Sequence, residues 1–175
     1  MEYRMSDDFE ILQQLGQDGA QGVVSLVQFP NGLRAAMKQF KLTKSSARIQ
    51  KEAEFQARAA KADIAPDVMH VDLEKKRIFM EPMRARIVDV LSHGHDKFRR
   101  DLLDIMRALD GIGILHNDGN ALNLMLNEYD ELRILDFGLS KEITPSVSKK
   151  WNGEPNVRVT LHMLRKSLRK YKINI

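Results

Sequence analysis

The chain has 175 residues and a mass of 20.1 kDa, with 43% hydrophobic and 30% charged residues, an ordinary globular balance that excludes a disordered or fibrous chain and fits one domain or two small lobes. It contains no cysteine, which excludes disulfides, thiolate catalysis and cysteine-ligated zinc, and its five scattered histidines suggest no histidine metal site. The net charge of +4 comes from 28 basic and 24 acidic residues, and no apolar run approaches the ~18 residues of a membrane span, so no membrane partner is expected.

The chain opens on Met1-Glu2-Tyr3-Arg4-Met5-Ser6-Asp7-Asp8, polar and acidic where a cleavable secretory signal needs a basic start and an apolar stretch, so a cytoplasmic protein is expected. Residues 10–15 and 23–27 have strand composition, and Pro30-Asn31-Gly32 marks a reversal before a third strand at 34–38, which predicts an antiparallel meander. Residues 45–61 are rich in Ala, Gln, Lys and Glu without a breaker, which predicts a helix ending before Pro66. Two short strands follow at 69–72 and 77–80, joined by the charged turn Glu74-Lys75-Lys76. At Pro82 the pattern changes from mostly strand to mostly helix. Phe98, Leu102, Met106 and Leu109 recur at helical spacing and predict one apolar stripe facing a core. Residues 124–126 and 132–135 flank a polar turn as a hairpin, and Val157, Leu161, Leu164 and Leu168 stripe a closing helix. From Lys149 onward eight cations face Glu154 alone, a local surplus of seven. Such a tail contacts nucleic acid or an acidic partner, or is a solvated helix face, and the last reading is favoured.

Between the predicted helix and hairpin lies His116-Asn117-Asp118-Gly119-Asn120-Ala121-Leu122-Asn123, and Asp136-Phe137-Gly138 follows the hairpin. Asn123 stands five residues after Asp118. This arrangement resembles the catalytic loop H-R-D-x-x-x-x-N and the D-F-G motif of eukaryotic-type protein kinases. Phosphoryl transfer needs a carboxylate near the attacking hydroxyl and oxygen ligands for a metal on the phosphates, so the resemblance implies ATP and Mg2+ as cofactors. Asp118 would orient the substrate hydroxyl and accept its proton, while Asn123 and Asp136 would hold the metal. Ala35-Ala36-Met37-Lys38 resembles the V-A-I-K strand, with Lys38 on the α- and β-phosphates. Its expected partner is Glu52, which shares a helix face with Ile49, Phe55 and Ala59, whereas Glu54 falls beside Lys51 and Arg58. Gln56 stands where the family has an apolar residue. In the glycine-rich loop, Gly19, Gly22 and Val24 match G-x-G-x-x-G-x-V, Gly16 comes one residue early, and Gln17 takes the place of the first glycine. Residues 78–83 resemble the hinge, where backbone groups of Glu81 and Met83 would pair with adenine and Met80 would guard the pocket.

The departures are as informative. Asn117 replaces the arginine that pairs with a phosphorylated activation loop, which implies constitutive activity or control by a partner. Asn120 replaces the lysine that Ser/Thr kinases place two residues after the catalytic aspartate, and Thr160 takes the position of an aspartate that braces the catalytic loop. Only 37 residues follow Gly138, with no A-P-E motif, too few for the usual peptide-docking platform. Similarly reduced kinases include the small kinase of the KEOPS tRNA-modification complex, RIO kinases and bacterial type III effector kinases, the last of which would place the chain in a host cytosol. The expectation is an α+β, bilobal protein-kinase-like fold, with a β-rich N-lobe over residues 1–82 and a truncated, mostly helical C-lobe over residues 83–175. The implied activity is phosphoryl transfer from ATP to Ser/Thr hydroxyls of a protein substrate, with Thr144, Ser146 and Ser148 as possible autophosphorylation sites. The alternatives are a pseudokinase binding module docking on a partner protein, or an ATPase in a complex whose RNA touches the basic tail.

Overall fold

A computed structural model of the chain describes residues 7–16 and 19–175. Five strands, β1 (Glu10–Gln14), β2 (Gly22–Gln28), β3 (Arg34–Phe40), β4 (Val68–Asp72) and β5 (Arg77–Met80), form one antiparallel sheet in the order β1-β2-β3-β5-β4. Helix α1 (Ser46–Lys61) connects β3 to β4, and the Ser45 hydroxyl caps it by accepting from the Arg48 amide at 3.3 Å. The period of two along β3 decides which side chains meet α1. Ala36 and Phe40 pack with Ile49 and Ala53 of α1 and with Ile78 and Met80 of β5. Ala35 and Met37 face the other way, into a cluster with Val27, Phe29 and Phe79. Lys38 therefore points to the helix side of the central strand.

The second half of the chain is helical around a short three-stranded sheet. It comprises β6 (Ala85–Arg86), α2 (Ile87–Val90), α3 (Asp96–Gly111), β7 (Ile114–Leu115), a 3-10 turn (Ala121–Asn123), β8 (Leu124–Leu126), β9 (Leu132–Ile134), β10 (Lys141–Glu142), α4 (Pro145–Lys150), a π-helical turn (Asn156–Thr160) and α5 (Leu161–Arg169). β8 and β9 are the hairpin expected from the sequence, β6 adds to its edge, and β7 pairs with β10. Phe98, Leu102, Ile105, Met106 and Leu109 of α3 are all buried against Leu124, Leu132, Ile134, Leu161, Leu164 and Leu168. Burial of each such side chain contributes about 1.5–3 kcal/mol, so this cluster holds the lower half together. Phe55 and Ala59 of α1 and Phe137 join the same cluster, which makes α1 the element shared by both cores. The fold is α+β, with a strand-rich first half and a truncated, helical second half, in the manner of a reduced kinase-like bilobal protein. Among the described residues no helix is long and apolar enough to cross a membrane.

The closing helix departs from the expected stripe. Its first turn, Asn156–Thr160, is π-helical, so the phase slips and Val157 is only half-buried at the margin of the core. The extra residue in that turn places Asn156 and Thr160, both fully buried, under the loop that begins at His116.

Candidate active site

The register of β2 on β3 sets Val24 opposite Lys38, and α1 lies across the strand so that Glu52 meets the lysine. Lys38 Nζ is 2.5 Å from Glu52 Oε1 and 3.3 Å from Asp136 Oδ1, although Asp136 is 98 residues away in sequence. The charge on Lys38 is stabilised strongly. Burial alone would push its pKa down, but the carboxylates of Glu52 and Asp136 outweigh that and raise it. For Asp136, burial favours the neutral acid, yet the Lys38 charge and the Gly138 amide, which donates at 3.2 Å, hold the carboxyl below its usual range. Glu54, the alternative partner, is exposed and instead accepts from Gln50 at 2.9 Å. Gln56 is buried, and its amide donates to Pro66 O at 3.1 Å, which satisfies a polar group where an apolar one was expected.

The loop from His116 to Asn123 forms a second group. Asp118 Oδ2 accepts from Asn123 Nδ2 at 3.0 Å and Asp118 Oδ1 from the Asn120 amide at 3.1 Å, which fixes the carboxylate and turns the Asn123 carbonyl away from it. The Leu135 amide donates to Asn123 O at 2.9 Å, tying this loop to the strand that delivers Asp136. His116 is fully buried and donates through Nε2 to Leu135 O at 3.0 Å, which leaves Nδ1 bare and the ring neutral. Burial holds its pKa below the usual histidine range. The imidazole packs edge-on against Phe137 with ring centroids 4.8 Å apart. Asn117 and Asp136 both take left-handed backbone angles, φ 62° in each case, at residue types that tolerate that region.

Beneath this loop lies a brace that the sequence reading only half found. Thr160 Oγ1 accepts from the Asn117 amide at 3.3 Å and donates to Asn156 Oδ1 at 3.0 Å. Asn156 Oδ1 also accepts from the His116 amide at 3.0 Å, while Asn156 Nδ2 donates to Asp110 Oδ1 and Ile114 O, both at 2.7 Å. Two neutral side chains one π-turn apart thus receive the two loop amides. Asn156 carried no sequence signal, because the π-turn that aims it is invisible to a 3.6-residue period.

The glycine-rich loop has its own geometry. Gly19 and Gly22 exchange backbone hydrogen bonds at 3.0 and 3.3 Å. Gly22 has φ 148°, and a Cβ there would lie 2.0 Å from Gln39 O, so close packing on β3 already requires glycine at this position. Gln17 lies outside the described residues. Gln21 was not foreseen. Its side chain reaches down to Gly138, where a Cβ would come within 2.6 Å of Gln21 Oε1, and it accepts from Lys44 Nζ at 2.8 Å. At the hinge, the Glu81 amide donates to Asp67 O at 2.9 Å and the Arg84 amide to Leu126 O at 2.8 Å. These bonds fix both ends of the segment and leave the Glu81 carbonyl and Met83 amide between them outside the ladders.

Among the described residues no group of three or more His, Asp or Glu side chains gathers to hold a metal. The donor set that fits a hard divalent cation is the ionised Asp136 carboxylate with the Asn123 carbonyl, completed by oxygens of a ligand or water.

No protein-family profile matches the chain. Two curated relatives match along nearly its whole extent: the mitogen-activated protein kinase spk1 of Schizosaccharomyces pombe, 24% identical over 96% of the chain, and mitogen-activated protein kinase 2 of Pneumocystis carinii, 25% identical over 95%. The chain spans about half the length of these relatives, 52% and 54% respectively. A shorter match, 35% identical over 39% of the chain, joins it to mitogen-activated protein kinase kinase 7 of Arabidopsis thaliana, 21% of which is covered. Distant as they are, these similarities support a protein-kinase-like relationship for the chain.

Proposed function

We propose that the chain is a reduced serine/threonine protein kinase that uses ATP and Mg2+. The observation that carries this reading is the convergence of Lys38 and Asp136, 98 residues apart, on one buried cluster with Glu52. Magnesium-chelated ATP supplies the activated γ-phosphoryl group when bound. Lys38, kept charged by its two carboxylates, orients phosphate oxygens, and Asp136 and Asn123 offer the hard oxygens suited to the cation. Asn123 also holds Asp118 by its amide, so that the carboxylate faces an incoming hydroxyl and takes its proton as the oxygen attacks. Glu81 and Met83 offer a carbonyl and an amide to the adenine edge, and Gly19, Gly22 and Val24 form the lid above. Two domains with a boundary at Pro82, a cytoplasmic location and a protein substrate belong to the same reading. So does kinship in design with the KEOPS kinase, RIO kinases and effector kinases.

The test is transfer from labelled ATP in the presence of Mg2+, to the chain itself and to generic protein acceptors. Wild type is expected to incorporate label, with Thr144, Ser146 and Ser148 as sites found by mass spectrometry, and Asp118→Ala and Asp136→Ala to lose it. Equal incorporation by wild type and both variants would overturn the reading.

A second reading, a binding module that keeps the pocket for shape, is favoured by one observation: the Gln21 side chain fills the space over Gly138. Calorimetry separates the two, since only the kinase gives a saturable heat with Mg-ATP. A third, an ATPase beside RNA, draws on the exposed Arg165, Lys166, Arg169, Lys170 and Lys172 around α5, and predicts salt-sensitive RNA binding lost on deleting residues 165–175.

A further inference from the structure

Glu52 does not have one lysine but two. Its Oε1 meets Lys38 at 2.5 Å and its Oε2 meets Lys44 Nζ at 2.7 Å, and the carboxylate is only 2% exposed. Lys44 lies in the segment between β3 and α1, where no motif marks it. Its backbone is held from outside, because Lys76 Nζ donates to Leu42 O at 2.7 Å and to Lys44 O at 2.6 Å. Its ammonium sits 4.5 Å from the Phe40 ring centroid, and Lys38 Nζ sits 5.0 Å from the same centroid. Its second hydrogen bond goes to Gln21 Oε1 at 2.8 Å, in the glycine-rich loop. One side chain therefore links the loop, the central strand's lysine by way of Glu52, and helix α1.

The charge arithmetic gives this link a purpose. Lys38 and Lys44 face Glu52 and Asp136, so the buried cluster is neutral as it stands. Were Lys38 the sole cation on Glu52, swinging it toward a triphosphate would leave a buried carboxylate poorly compensated, and the helix that carries it would be pushed outward. With Lys44 on the other oxygen, the Glu52 carboxylate keeps a cation beside it and α1 stays seated while Lys38 shares its charge with phosphate.

We propose that Lys44 is a positioning residue for the nucleotide site, acting through Glu52 on Lys38. This rests on the reading above that Lys38 binds nucleotide phosphate. It differs from a simple electrostatic attraction between Lys44 and phosphate, which would persist without the Glu52 charge.

The experiment compares wild type, Lys44→Ala, Lys44→Arg, Glu52→Gln and the double variant Lys44→Ala/Glu52→Gln. It measures Mg-ADP affinity by calorimetry, and KM for ATP and kcat by label transfer. Lys44→Ala is expected to raise KM and the Mg-ADP Kd about tenfold while kcat changes less than about threefold, and Lys44→Arg to return both constants to within about twofold of wild type. In the Glu52→Gln background the Lys44→Ala change is expected to add less than about twofold, the signature of action through that carboxylate. An equal loss in both backgrounds, no loss at all, or no rescue by arginine overturns the proposal. Wild type that binds no Mg-ADP overturns the proposed function and this inference with it, whereas wild type that binds and transfers while Lys44→Ala behaves identically overturns this inference alone.

Discussion

Truncating Asn156 to alanine tests the brace under the loop from His116 to Asn123 most directly. The side chain is fully buried and makes four hydrogen bonds, accepting from the His116 amide and Thr160 and donating to Asp110 Oδ1 and Ile114 O. Asp110 Oδ1 keeps the Asn156 backbone amide at 2.8 Å, so its loss is partial. The His116 amide and the Thr160 hydroxyl lose their acceptor and the Ile114 carbonyl loses a donor, while the hydroxyl still accepts from the Asn117 amide. A buried polar group deprived of its partner costs about 1–3 kcal/mol, and the Thr160 hydroxyl keeps the Asn117 amide, so the expected destabilisation is about 3–5 kcal/mol. Set against a typical total of about 5–15 kcal/mol, that is a large fraction. Urea unfolding followed by circular dichroism measures it. Thr160→Val keeps the shape and removes only the hydroxyl, so stability should fall by about 1 kcal/mol, while the residue before Asp118 loses its tether and label transfer falls further than stability does. An Asn156→Ala cost below about 1 kcal/mol, or equal effects from the two variants, would refute the assignment of the brace.

Three further outcomes follow from the geometry. A Cβ on Gly119 would lie 2.0 Å from Met163 Cβ and under 3 Å from the Met163 backbone, so Gly119→Ala forces the loop off α5 and should cost about 3 kcal/mol or more in chemical denaturation; a loss under 1 kcal/mol would contradict the packing. Because burial depresses the His116 pKa below its ordinary 6.5, the unfolded chain binds a proton that the native ring refuses. Stability from this group is complete above about pH 6.5 and is lost as the pH falls below it, by up to about 1.4 kcal/mol per pH unit, and His116→Gln should flatten that slope in urea titrations between pH 7.5 and 5. Glu52→Gln should reduce label transfer at least about tenfold, while Glu54→Gln should leave it within about twofold; similar losses from both would remove Glu52 from the site.

Much of this architecture was legible because two periods carry it. Alternation in β3 separates Ala36 and Phe40 from Ala35 and Met37, and so fixes the side on which Lys38 emerges. The helical phase of α1 separates Glu52 from Glu54 without any fold knowledge. Asp118, Asn123 and Asp136 were carried by resemblance to the kinase motifs, in residue type and in spacing. What escaped has physical causes. Lys44 sits in an irregular connection, where neither period applies and only the tertiary fold decides what a flexible side chain meets. Asn156 was hidden by a π-turn that shifts the phase by one residue. Gly22 matches the glycine-rich motif, and its close approach to Gln39 O gives sheet packing its own reason for glycine there.

On the loop side the segment after Phe137 is fastened by uncharged groups, and Glu142 adds an ion pair with Arg58 of α1. Ser140 Oγ donates to His116 O at 3.2 Å, the Ile143 amide to Gly113 O at 2.8 Å, and β10 lies along β7. Asn117 Nδ2 adds a long contact to Leu139 O at 3.5 Å, where an arginine would have waited for a phosphate. Neutral bonds of this kind are little weakened by electrolyte, whereas a guanidinium clasp on a phosphorylated residue would slacken as ionic strength rises. Added salt therefore acts on this segment through the Arg58–Glu142 pair rather than through its neutral bonds to the loop.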